Sequence, residues 1–129
     1  RGGYVLLAER GDLDAIIIAT GSEVELGVAA AERLSAQGKG VRVVSMPSTD
    51  VFMAQDADYR DRVLPPQVRA RVAVEAAHPD YWYRFVGLDG AVVGIDRFGV
   101  SAPGGEAMAV LGITADNVVA AVQGVLDGK

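Results

Sequence analysis

Residues 16–26 read IIIATGSEVEL: a β-branched run, then Thr20-Gly21-Ser22, then the carboxylates Glu23 and Glu25. A strand that turns at glycine into a helix is an arrangement that holds phosphates, because backbone N–H groups and the positive helix end face the anion. This turn is poorly made for that chemistry. Glu23 and Glu25 fall in the first turn, where they satisfy the dipole and oppose a phosphate. Gly21 lacks the further glycines of a dinucleotide fingerprint, and no Lys follows as in a P-loop. The stretch predicts a plain β-to-α turn, with Gly21 and Ser22 kept as a weak anion site.

His78, in EAAHPDYW, is the single histidine and the one side chain that titrates near neutral pH by default. It follows a strand end, where open α/β sheets place their ligands. Beside Gly21 and Ser22 it would be the cation that meets an anion. No base or nucleophile accompanies it, so it predicts no catalytic role. Ser101, in FGVSAPGGE, has no neighbouring His, and a hydroxyl without a base is inert. Tyr81, Trp82, Tyr83 and Phe85 form an aromatic cluster that fits core and interface alike. Trp82 and Phe85 share a helical face, and the amphipathic Tyr81 and Tyr83 are the candidates for a partner surface. The residues predict no catalytic, cofactor-binding or metal site.

Composition narrows the classes further. The chain has 129 residues, 50% hydrophobic and 22% charged, which suits one globular domain with its own core. Twelve Lys and Arg against seventeen Asp and Glu leave a net charge of −5, against a nucleic-acid partner. Cysteine is absent, so neither disulfides nor a thiolate zinc site are available. No apolar run approaches the roughly 20 residues of a membrane helix, and nothing resembles a signal peptide. These features predict a cytoplasmic protein with no membrane partner. The opening Arg1-Gly2-Gly3 without Met reads as a boundary inside a longer protein.

The elements that must position these groups follow from pattern. Tyr4 to Ala8, Ala15 to Ala19, Val41 to Met46, Ala70 to Val74 and Ala91 to Ile95 read as strands. Ala15 to Ala19 is apolar throughout, as a strand buried on both faces must be. Val24, Gly27, Val28, Ala31 and Leu34 make one helical stripe, with Ser22 and Glu25 spaced as a capping box and Gly38 and Gly40 ending the helix. Asp50 to Leu64 predicts irregular helix with a solvated acidic face and local pairing by Arg60 and Arg62. Asp80 to Val86 predicts another helical stretch. Thr114 is placed to cap a last helix that buries Val118, Ala121, Val122, Val125 and Leu126. Strands alternating with helices imply a mostly parallel sheet covered on both faces.

Six segments carry a resemblance: ATGSEVELGVAAAERL, VRVVSMPSTDVF, VLPPQVRARVAVEA, DYWYRFVG, FGVSAP and GITADNVV. In this order and spacing they resemble the C-terminal domain of bacterial transketolases, over essentially the whole chain. The resemblance implies a three-layer α/β/α sandwich with a five-stranded mixed sheet, order 1-3-2-4-5, strand 1 antiparallel. It also implies a parent enzyme that transfers two-carbon ketol units between sugar phosphates, using thiamine diphosphate and a divalent cation held by earlier domains. The implied partners are those domains and the second subunit of a homodimer, and the implied role is architecture and dimer packing. A stand-alone module binding a nucleotide or sugar phosphate, or a pure oligomerisation module, is the competing expectation. One departure follows SAP, where the family shows leucines opening a helix and this chain has Gly104-Gly105-Glu106-Ala107. Each glycine weakens a helix by up to about 1 kcal/mol.

Overall fold

The computed structural model describes residues 2–75, 83–87, 90–94 and 115–127. Strands β1 (Tyr4–Leu7), β2 (Ala15–Ala19), β3 (Val41–Ser45), β4 (Arg71–Glu75) and β5 (Ala91–Gly94) form one sheet of order β1-β3-β2-β4-β5. β1 runs antiparallel to β3, and the β3/β2, β2/β4 and β4/β5 pairs are parallel. The helices are α1 (Val24–Ala36), α2 (Thr49–Met53), α3 (Ala57–Val63), α4 (Tyr83–Val86) and α5 (Ala115–Leu126). The strand order and the single antiparallel edge are those that the resemblance implies.

β2 explains its own composition. Its side chains alternate between two cores. Ala15, Ile17 and Ala19 pack with Ala30, Ala31 and Leu34 of α1 and with Val118 and Val122 of α5. Ile16 and Ile18 face the other way, onto Phe52 of α2, Val63 of α3, and Phe85 and Val86 of α4. A strand with a helical layer on each side has no solvent face, so no polar residue interrupts it. Gly27 lets α1 lie close to the sheet, since a Cβ there would stand 3.1 Å from Ile17 Cγ2. The buried stripe of α5 agrees with the sequence pattern at Val118 and Val122.

Three expectations need correction. The helix does not open at Ser22, where the capping box would place its start. Gly21 adopts φ +58, and a single 3-10 turn, Gly21–Glu23, precedes α1. The backbone is therefore already turned at Ser22, whereas a cap needs extended backbone. That conformation belongs to Thr20, and no side-chain cap bond forms at Thr20 or Glu23. Second, the stretch from Asp50 is two capped helices rather than one irregular run. The Ser48 hydroxyl accepts from the Val51 N–H at 3.3 Å, and the Asp56 carboxylate accepts from the Tyr59 N–H at 2.8 Å. Third, Arg60 and Arg62 donate to the backbone carbonyls of Gln55 and Asp58, at 3.2 and 3.4 Å. The expectations placed on His78, Tyr81, Trp82, Ser101, Gly104, Gly105 and Thr114 fall outside the described residues.

Candidate functional site

The strand order reverses beside β2: the chain leaves β2 for β3 on one side and later places β4 on the other. In open α/β sheets the ligand crevice opens at such a point, above the carboxyl ends of the strands. Gly21 stands there, exposed, directly after β2. The loop after β4, which carries Ala77 and His78, lies outside the described residues, as do the side chains of Ser22 and Tyr83. The candidate constellation of Gly21, Ser22 and His78 is thus described at its glycine and along the Ser22 backbone.

The turn has its own electrostatics. Glu23 is only 4% exposed, and its Oε2 lies 3.7 Å from where a Cβ on Gly21 would sit. Its N–H donates to the Thr20 carbonyl at 3.2 Å, which closes the 3-10 turn. Glu25 is exposed on the first turn of α1. A diphosphate brought to Gly21 would meet the buried Glu23 carboxylate at close range, where low dielectric strengthens repulsion. These residues do not fit thiamine diphosphate. Among the described residues no group of three His, Cys, Asp or Glu side chains could hold a metal ion. Nor is any described helix long and apolar enough to cross a membrane.

A shallow pocket of about 210 Å³ lies at the opposite rim, where β1 ends and β3 begins. Leu7, Arg10, Glu32, Ser35 and Val41 line it. It is smaller than the roughly 300 Å³ of ordinary small-molecule sites. It also lies away from the crevice end of the sheet.

The strongest polar constellations are two arginines that the sequence reading did not single out as structural. Arg42, inside β3, forks onto Glu9, with Nε–Oε1 2.9 Å and Nη2–Oε2 3.0 Å. Its remaining nitrogen donates to the carbonyls of Arg62 and Val63 at 2.9 and 3.0 Å. The Arg42 hydrogen bond holds the Glu9 carboxyl below its ordinary range, against the opposing effect of burial. Arg71, opening β4, donates to the carbonyls of Val68 (2.9 Å), Phe85 (2.8 Å), Leu64 (3.2 Å) and Pro65 (2.8 Å). Burial lowers the pKa of its guanidinium, partly offset by the Asp61 charge. The available signal was an arginine within or opening a mostly apolar strand, VRVVS and RVAVE. These side chains clamp loops to the sheet, and neither faces the crevice above Gly21.

What the described residues define is an α/β domain of sound core whose charged groups serve its own architecture. The comparisons give that class its family. The Transketolase-like TK C-terminal domain family matches residues 2–114, and the chain belongs to it. Transketolase 1 of Escherichia coli (strain K12) is 61% identical over 120 residues, covering 93% of this chain and 18% of that protein. Transketolase 2 of the same organism is 55% identical over 129 residues, covering all of this chain and 19% of the relative. The transketolase structure from Leishmania mexicana superposes with a TM-score of 0.89 at 40% identity, over 98% of this chain and 18% of that one. The chain therefore spans less than a fifth of the length of these relatives.

Proposed function

We propose that this chain works as the single, non-catalytic C-terminal domain of a transketolase. The whole enzyme would transfer two-carbon ketol units between sugar phosphates in the cytoplasm. Thiamine diphosphate and a divalent cation would be bound by other domains of that enzyme, and a homodimer would be its working form. The observation that carries this reading is 55–61% identity to transketolases that are each about five times longer than the matched segment. That proportion favours a domain of a large enzyme over a stand-alone binding module. The unsuitability of the Gly21 turn for a diphosphate supports the same division of labour.

The test is a chimera. The matching segment of E. coli transketolase 1 is replaced by this chain, and ketol transfer is followed with thiamine diphosphate and Mg²⁺ supplied. The chimera is expected within about tenfold of the parent kcat/KM, a change of about 1.4 kcal/mol in barrier. The isolated chain is expected to give no turnover above blank. Turnover by the isolated chain would overturn the non-catalytic assignment, and a folded but inactive chimera would overturn the transketolase assignment.

A further inference from the structure

The pocket of about 210 Å³ at the rim of the sheet has two walls of opposite charge. Ala8 and Arg10, from the chain that leaves β1, form one wall. Glu32, Ser35 and Ala36, neighbours on the last turns of α1, form the other. The negative end of the α1 dipole adds to the Glu32 carboxylate on that side.

The charged groups of the two walls are unpaired. Arg33, Arg42, Arg60, Arg62 and Arg71 all donate to protein acceptors. Among the described residues no hydrogen bond or ion pair engages the side chain of Arg10, Glu32 or Ser35. Yet the wall that carries Arg10 is anchored on both sides. Before it, the Glu9 carboxylate is drawn to Arg42 of β3. After it, the Asp14 carboxylate accepts from the Gly40 N–H at 2.7 Å, and the Asp14 N–H donates to the Gly40 carbonyl at 2.7 Å. A cation and an anion thus line one small cavity from two fixed elements.

We propose that this pocket binds a small zwitterion, a free amino acid with a short side chain. Its carboxylate meets the Arg10 guanidinium, whose planar fork matches that group. Its ammonium group meets Glu32 and the end of α1, with the Ser35 hydroxyl as a further acceptor. Its alkyl group lies against Ala8 and Ala36. The volume corresponds to about seven waters, so the ligand has about that many non-hydrogen atoms. A singly charged ligand leaves one wall unpaired. The site lies at the rim opposite the crevice, and its chemistry is independent of the transketolase reading.

NMR titration of the chain tests this with three probes: L-alanine, its methyl ester, which keeps only the ammonium group, and N-acetyl-L-alanine, which keeps only the carboxylate. L-alanine is expected to shift the amides of residues 8–10, 32–36 and 41 saturably in the millimolar range, because Arg10 and Glu32 are exposed. Each derivative should bind about fivefold or more weakly. Arg10→Gln and Glu32→Gln should each weaken L-alanine by about the same factor. Ala36→Leu should abolish the shifts by filling the pocket. Ala36 is exposed and Leu is nearly as good a helix former, so the fold is kept, as the same spectra will show. Should a glutamine variant fail to fold, the derivatives test the same pole on the unchanged protein. Absence of saturable shifts at these residues would overturn the proposal. Equal binding of either derivative, or undiminished binding by a folded glutamine variant, would reduce the site to a surface ion contact and overturn it as well.

Discussion

Replacing Arg71 by Ala should destabilise the domain by about 2–4 kcal/mol, because it removes donors from the carbonyls of Leu64, Pro65, Val68 and Phe85 together. A hydrogen bond to a charged donor contributes about 1.5–3 kcal/mol, so four would sum to roughly 6–12 kcal/mol if they were independent and dry. They are neither. Arg71 is half-buried, and carbonyls near the surface regain water once the guanidinium leaves. The guanidinium's lowered pKa reflects a desolvation that its surroundings do not fully offset. Bonds made by one side chain are also lost together and do not add. The low end of the sum is therefore the sensible starting point, reduced about twofold.

Arg71→Lys separates fork from charge. A compact ammonium keeps the charge but cannot span carbonyls on both the 64–68 loop and α4, so about half the loss should remain. Urea denaturation at neutral pH measures both variants, with the slope expected to stay at the wild-type value. A midpoint for Arg71→Ala within about 0.5 kcal/mol of wild type would refute the clamp, since surface substitutions of no structural consequence fall in that range. Equality of Arg71→Lys with wild type would refute the geometric part alone.

Gly40→Ala should cost about 2–4 kcal/mol in the same melts, because the added Cβ would overlap the Asp12 carbonyl, whereas Gly38→Ala meets open space and strains only a φ of +85, at about 1 kcal/mol; equal effects would contradict the packing at Gly40. Glu9 is held below its ordinary 4.5, chiefly by the Arg42 hydrogen bond, so its contribution is present above about that pH and is lost as pH falls through the lower folded value. Glu9→Gln should accordingly be less stable than wild type at pH 7 and converge with it in strong acid, and a gap independent of pH would contradict the ion pair. Inorganic phosphate followed by NMR should bind at the Gly21, Ser22 and His78 loops no more tightly than millimolar, about −4 kcal/mol, and shifts confined to other residues would reject that site.

The fold was legible where burial dictates composition. Ala15–Ala19 has the same bounds in the sequence pattern and in the sheet, since a strand packed on both faces leaves no room for a polar residue. The stripe of α1 was read from spacing alone, and Gly27, Ala31 and Leu34 are buried as expected. The start of α1 was less legible. Ser22 and Glu25 match a capping box, but a left-handed Gly21 begins the turn earlier, and spacing does not reveal φ. Nor did the pattern show that Ser48 and Asp56 divide the following stretch into two helices, since both types also sit in ordinary loops. Arg42 and Arg71 were hidden for a different reason. Apart from Glu9, the partners given for them are backbone carbonyls, and a carbonyl has no identity in a sequence.

The two arginines bear on how little chemistry the described residues bring to the crevice. A charged side chain used to hold loops is committed to acceptors that it cannot release without destabilising the domain. Arg42 and Arg71 are spent in this way, at the amino ends of the parallel strands or along them. At the carboxyl end, the described charge nearest the Gly21 turn is the buried Glu23, of the wrong sign for a phosphate. An α/β sheet of this topology offers the crevice regardless of what its loops contain. Among the described residues, the exposed large apolar side chains lie on β1 and α2, away from the Gly21 turn.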